Sequence, residues 1–150
     1  MHLLDGSDLR LQKVSADVVS FDHALSQLLA EMYDTLDSKK GAIGLAAPQV
    51  GVLQRVIVFS MTDGRRGHLI NPTWRSISSK KRTGLEGCLS FPGKHWKVRR
   101  AVSVTVNAFD RYGVVKIVTG HGLMSQMLQH EIDHLDGILV STRRDAILQH

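Results

Sequence analysis

Ala101-Val102-Ser103-Val104-Thr105-Val106-Asn107-Ala108-Phe109 is the stretch whose spacing points to the kind of fold. Val102, Val104, Val106 and Ala108 alternate with Ser103, Thr105 and Asn107, the period of two that a half-buried strand requires. Asp110-Arg111-Tyr112-Gly113 follows as a turn, and Val114 to Val118 supplies an antiparallel partner. From about Gly122 to Leu135 the period becomes helical, with Met124, Met127, Leu128, Ile132 and Leu135 on the core side and Asp136-Gly137 as the stop. Upstream, Arg55 to Ser60, His68 to Ile70 and Trp74 to Ser79 read as short strands. Further upstream, Leu25, Leu28, Leu29, Met32 and Leu36 mark one face of a helix running from Ser20 to about Lys39. Ser20 or Asp22 caps its start, and Gly41 lies beyond its end. The expected class is α+β: antiparallel sheets packed around a C-terminal helix, with an N-terminal helix beside them. Residues 1–150 are expected to form one catalytic domain, a length that suits a single core of ordinary size.

Composition narrows the function. Hydrophobic residues make up 43% and charged residues 22%, the balance of a soluble globular protein. No run approaches the roughly 18 apolar residues that cross a bilayer, so no membrane partner is expected. Met1-His2-Leu3-Leu4-Asp5-Gly6 lacks the basic start and apolar run of a secretory signal. A single cysteine forbids an internal disulfide, which agrees with a reducing, cytoplasmic setting. Net charge is +5, with cations in short clusters at Arg65-Arg66, Lys80-Lys81-Arg82, Arg99-Arg100 and Arg143-Arg144. These suit solvated turns, with a weak attraction for a polyanion such as RNA.

The chemistry is carried by Gln129-His130-Glu131-Ile132-Asp133-His134. Two histidines four apart on a helix share a face, so both rings can reach one divalent ion, and Glu131 projects beside it as a base. Alone, the pattern also fits a solvated helix bearing two histidines. A catalytic ion of this kind takes three protein ligands and keeps one position open. Only 16 residues follow His134, and among them only the terminal His150 offers an imidazole, so the third ligand is expected upstream. Cys88 is the best candidate, flanked by Gly87 and the Pro92-Gly93 turn, and a thiolate suits zinc or ferrous iron. Gly41-Ala42-Ile43-Gly44-Leu45-Ala46-Ala47-Pro48-Gln49-Val50-Gly51 has the small residues of a close backbone approach, though it also reads as a tight turn into a buried strand. His2, His23, His68 and His121 lack ligand spacing and are expected at the surface. Asp133 is expected either to pair with a cation such as Arg100 or to face water.

Taken together, Gly44-Leu45-Ala46-Ala47-Pro48-Gln49, Glu86-Gly87-Cys88-Leu89-Ser90 and Gln129-His130-Glu131-Ile132-Asp133-His134 resemble, in order and spacing, the three signature motifs of the peptide deformylases. The resemblance runs from about Asp8 to Leu139 and corresponds to a short form without an extended C-terminal helix. It implies a metal-dependent amide hydrolase that removes the formyl group from the N-terminal formylmethionine of newly made polypeptides, releasing formate. It further implies that Cys88, His130 and His134 hold one divalent ion, typically ferrous iron, with zinc or nickel able to replace it. Glu131 becomes the general base and then acid, while the Gln49 amide and the Leu89 N–H face the developing negative charge. Ile43, Glu86, Leu123, Met127 and the side of His130 become walls of the methionine pocket, and Gly44 offers its backbone to the substrate. His95 stands near the position where many bacterial members carry an arginine, which puts peptide-length preference in doubt. The implied partners are N-formylmethionyl nascent chains, with transient ribosome contact by a monomer. An ordinary endopeptidase with the same helix motif would lack uses for Cys88 and Gln49. A non-catalytic RNA-associated module would not need Glu131.

Overall fold

A computed structural model describes all 150 residues. Helix α1 (His23–Asp37) starts where the Asp22 carboxylate accepts a hydrogen bond from the Leu25 N–H at 3.2 Å, so Asp22 and not Ser20 is its cap. Strands β1 (Gly44–Ala46), β2 (Val56–Ser60), β3 (Arg66–Ile77), β6 (Ser103–Phe109) and β7 (Val115–His121) form an antiparallel sheet in the order β1-β2-β3-β6-β7. A second sheet joins β4 (Lys81–Cys88), β5 (Phe91–Ala101) and β8 (Ile147–Gln149) in that order. Helix α2 (Leu123–Leu135) lies against both sheets and ends ahead of Gly137, whose φ of 73° is the left-handed conformation that glycine adopts readily.

The larger sheet has an apolar layer on each face, which explains why β2 is continuously hydrophobic and not alternating. Ile57, Leu69, Val104, Val106 and Ala108 pack with Met124, Leu128, Ile132 and Leu135 of α2. Val56, Val58 and Ile70 pack with Leu25, Leu29, Met32 and Leu36 of α1. No helix is long and apolar enough to cross a membrane.

Several expected boundaries shift, each for a local reason. His68–Ile70 and Trp74–Ile77 are parts of one strand, β3, with Ser78 and Ser79 beyond its end, because a register irregularity between Ile70 and Thr73 absorbs Asn71 (φ 51°) and the donorless Pro72. The stretch from Ala101 to Phe109 is divided, since Ala101 closes β5 and β6 begins at Ser103. The β4–β5 hairpin has no counterpart among the expected strands. Its inward residues include Glu86 and Arg100 and its outward ones include Leu85, so hydrophobicity does not report which side faces in. His68 is half-buried, meeting the Tyr33 hydroxyl at 3.1 Å and accepting the Arg111 N–H at 3.1 Å, so it is not a surface residue.

Gly120 of β7 sets how closely α2 approaches. A Cβ there would come within 2.9 Å of Met124 Cγ and 3.0 Å of both Leu128 Cδ1 and the Ser125 backbone nitrogen. Gly120→Ala is therefore expected to cost about 1–3 kcal/mol through overpacking, read as a lower urea midpoint with an unchanged slope.

Candidate active site

Cys88 closes β4, whereas His130 and His134 are one turn apart on α2. The fold brings Sγ of Cys88 to 3.4 Å from Nε2 of His134, and the two rings lie edge to face with centroids 5.1 Å apart. One ligand atom from each of the three residues lies within 4.8 Å of the others.

The supports of these groups are as well defined as the groups themselves. Glu86 Oε1 accepts the His130 Nδ1–H at 2.8 Å and an Arg100 Nη2–H at 2.8 Å, while Oε2 accepts Arg100 Nε–H at 2.7 Å. Arg100 Nη1 then donates to Asp133 Oδ2 at 2.7 Å, and Arg143 Nη1 donates to the same oxygen at 2.7 Å. Asp133 thus pairs with Arg100 and does not simply face water. With Nδ1 of His130 committed to Glu86, its Nε2 lone pair is left for a ligand, the usual result of a carboxylate behind a histidine. A thiolate and two imidazoles form a donor set suited to ferrous iron or zinc, so the residues present fit a divalent ion.

Glu131 stands beside them, with Oε1 buried and without a hydrogen-bond partner. Burial raises its carboxyl from 4.5 to about 7. For His130, burial is outweighed by hydrogen bonds with Cys88 and Glu86, which hold its pKa well above the ordinary value. His134 is driven the opposite way by burial and by the neighbouring His130 and Arg100 charges. Burial would raise Glu86 too, but its bonds with Arg100 and His130 prevail and hold it at about 2.

Gln49 sits in the short helical turn Ala47–Val50 that follows β1. Its Oε1 accepts the Ala46 N–H at 3.0 Å, while Nε2 donates to Ser90 Oγ at 3.2 Å and points at Cys88 Sγ, 3.6 Å away. Leu89 occupies the turn between β4 and β5, where its N–H makes no hydrogen bond within the chain. Gly44 lies so close to Glu131 that a Cβ there would be 2.8 Å from Oε2, so a side chain at this edge position of β1 would have to displace the Glu131 carboxylate.

A cleft of about 900 Å³ runs along this constellation. Ile43, Gly44, Gln49, Glu86, Cys88, Leu89, His95, Leu123, Met127, His130 and Glu131 all line it, which includes every expected site residue except His134. His134 lies behind that lining, only 1% exposed. Leu123 is half exposed, whereas Met127 also belongs to the main core. Glu86 reaches the cleft, but both its oxygens are committed to Arg100 and His130. Sequence reasoning missed Ser90 as the Gln49 anchor and Arg100 as the Glu86 anchor. The place of Ser90 within the Glu86–Ser90 motif was the signal available.

The model of the polypeptide deformylase family matches residues 1–149. The chain belongs to the polypeptide deformylase family. It is 44% identical over 132 residues to peptide deformylase 1 of Corynebacterium efficiens, covering 86% of this chain and 78% of that one. It is 43% identical over 134 residues to peptide deformylase 1 of Bacillus subtilis, covering 89% of this chain and 82% of that one. The crystal structure of a peptide deformylase from Legionella pneumophila superposes with a TM-score of 0.89 at 40% identity, over 95% of this chain and 85% of that one. Members of this family are metal-dependent hydrolases that remove N-formyl groups from nascent peptides, and the α+β architecture seen here is theirs.

The Glu86 network generates a stability prediction. Glu86→Gln leaves Arg100 with an incomplete set of partners in a buried site and is expected to cost about 3 kcal/mol at neutral pH. The folded carboxyl titrates at about 2 against 4.5, so its contribution is complete above pH 4.5 and is lost as pH falls through 2. Urea melts should show the wild-type advantage over Glu86→Gln shrinking across that acid window.

Proposed function

We propose that this chain removes the formyl group from N-formylmethionyl chain ends using one divalent ion held by Cys88, His130 and His134, with Glu131 as its proton carrier. The convergence of one sulfur and two imidazole nitrogens within 4.8 Å, beside a buried carboxyl with an unpartnered oxygen, carries this reading. Ferrous iron is the proposed native ion, and zinc or nickel suit the same donors.

An ion held there supplies Lewis acidity, lowering the pKa of water to about 7 and polarising a carbonyl. The residues perform the rest of the reaction. Glu131 takes the proton of the attacking water at its free Oε1 and passes it to the departing amine nitrogen as the C–N bond breaks, leaving formate and a free amino terminus. Burial raises its pKa, which favours uptake of a proton at this position. Negative charge develops on the formyl oxygen, and the Gln49 Nε2–H and the free Leu89 N–H are the donors proposed to meet it. Each such donor is worth roughly 3 kcal/mol of barrier. Ser90 holds the Gln49 amide in place from one side and Ala46 from the other.

Substrate backbone is proposed to run along the free edge of β1, where Gly44 keeps the approach open. Ile43, Leu123, Met127 and the flank of His130 form the methionine pocket, and His95 at the cleft mouth meets the residues that follow. Because the pocket is apolar, related unbranched side chains should be accepted with modest loss. Formylated chain ends arise at the ribosome, so the enzyme is proposed to meet them there in the cytoplasm.

Glu131→Gln is expected to bind metal at wild-type stoichiometry yet lose about 10²–10⁴-fold in formate release from a formyl-methionyl tripeptide. Protein loaded with iron or nickel should leave the same peptide untouched when it lacks the formyl group. Retention of most activity by the variant would remove Glu131 from its role, and cleavage of internal peptide bonds would replace the reading with an endopeptidase.

A further inference from the structure

The charges of this chain are segregated to a degree that the catalytic cleft does not use. Residues 64–109 carry 10 of the 19 Lys and Arg but one of the 14 acidic residues, Glu86, which is buried against Arg100. The remainder of the chain is consequently acidic. A segment this unbalanced has to place its cations somewhere, and the topology places several on one surface.

In the β4–β5–β8 sheet, Glu86, Trp96, Val98 and Arg100 point inward and are buried. The alternate positions therefore point outward, and the register aligns them into rows, with Thr83 opposite Arg99 and Leu85 opposite Lys97. Lys97 in turn lies opposite Ile147 of β8. Lys97 and Arg99 are exposed on this face, and Lys81 is exposed at its end, opposite the buried Ala101. The cations that form ion pairs elsewhere are Arg10, Arg55, Arg65, Arg66, Arg100 and Arg143 with aspartates or glutamate, plus His130 with Glu86, and the three outward cations are not among them. The outward rows contain no carboxylate at all. The face also continues into the cleft mouth, because Leu85 and His95 line both the main cleft and a smaller depression with Thr83, Lys97 and Gln149.

We propose that this outward face of the three-stranded sheet docks the phosphate backbone of structured RNA. A row of unpaired cations on a strand pair suits the closely spaced charges of a phosphate backbone. Phosphate contact of this kind is read without base specificity and weakens steeply with salt. Docking by this face would hold the cleft mouth toward the RNA surface. The inference rests on charge placement and is independent of the reaction assigned to the cleft.

The test uses the whole chain and a fluorescent RNA hairpin. Lys81→Gln/Lys97→Gln/Arg99→Gln removes three charges, and Lys13→Glu/Arg111→Gln removes the same net charge away from the face. Wild type is expected to bind the hairpin at low salt with a steep log–log salt dependence. The triple variant should lose at least tenfold in affinity and about 2–3 units of that slope, while the matched control behaves as wild type. Thermal melts verify that both variants fold, and the single variants Lys97→Gln and Arg99→Gln serve if the triple does not. Equal losses in the triple and control would overturn the proposal, since net charge alone would then explain binding. Absence of hairpin binding at low salt, or binding to anionic phospholipid vesicles in preference to RNA, would overturn it as well.

Discussion

The buried chain of charges from Glu86 through Arg100 to Asp133 holds the active-site arrangement together. Glu86 sits on β4, Arg100 on β5 and Asp133 on α2, so one guanidinium ties the small sheet to the helix that carries the two histidines. The Glu86 and Arg100 side chains are 3% and 4% exposed, and charges so far from water persist only when their hydrogen-bonding capacity is used. That requirement fixes the distance between Cys88 at the end of β4 and the two histidines of α2. The same carboxylate holds Nδ1 of His130, so ring orientation and strand position are set by one group.

Around this clamp the site collects groups whose ordinary ionisation is disturbed in opposite directions. His130 is pushed up and His134 down, while Glu131 is raised to about 7 by burial. Strongly perturbed groups gathered in one place are characteristic of functional sites. Closeness is bought by glycine at one point in particular, because any side chain at Gly44 would collide with the Glu131 carboxylate. The edge of β1 consequently passes close beside Glu131.

Much of this was legible in the sequence. Helical spacing marked α1 and α2 with the correct buried faces, and the alternation after Val102 marked β6. His130 and Glu131, together with Cys88 and Gln49, are residues that the fold does bring to one cleft, with His134 directly behind its lining. The β4–β5 hairpin was not legible, because burying Glu86 and Arg100 while exposing Leu85 inverts the pattern by which strands are recognised. Tertiary pairing makes that inversion stable, and a single strand read by itself carries no sign of its partner. Ser90 and the pairing of Arg100 with Glu86 escaped notice for the same reason: each acts through a side chain distant in sequence. Two short strands, His68 to Ile70 and Trp74 to Ser79, were legible where one longer strand runs, because an irregular register carries β3 through Asn71-Pro72.

X-ray absorption at the metal edge of the iron- or zinc-loaded protein tests the central claim most directly. One sulfur and two imidazole nitrogens among the protein ligands is the predicted result, with the sulfur signal lost in Cys88→Ser. A first shell of nitrogen and oxygen alone in the wild-type protein would contradict the account.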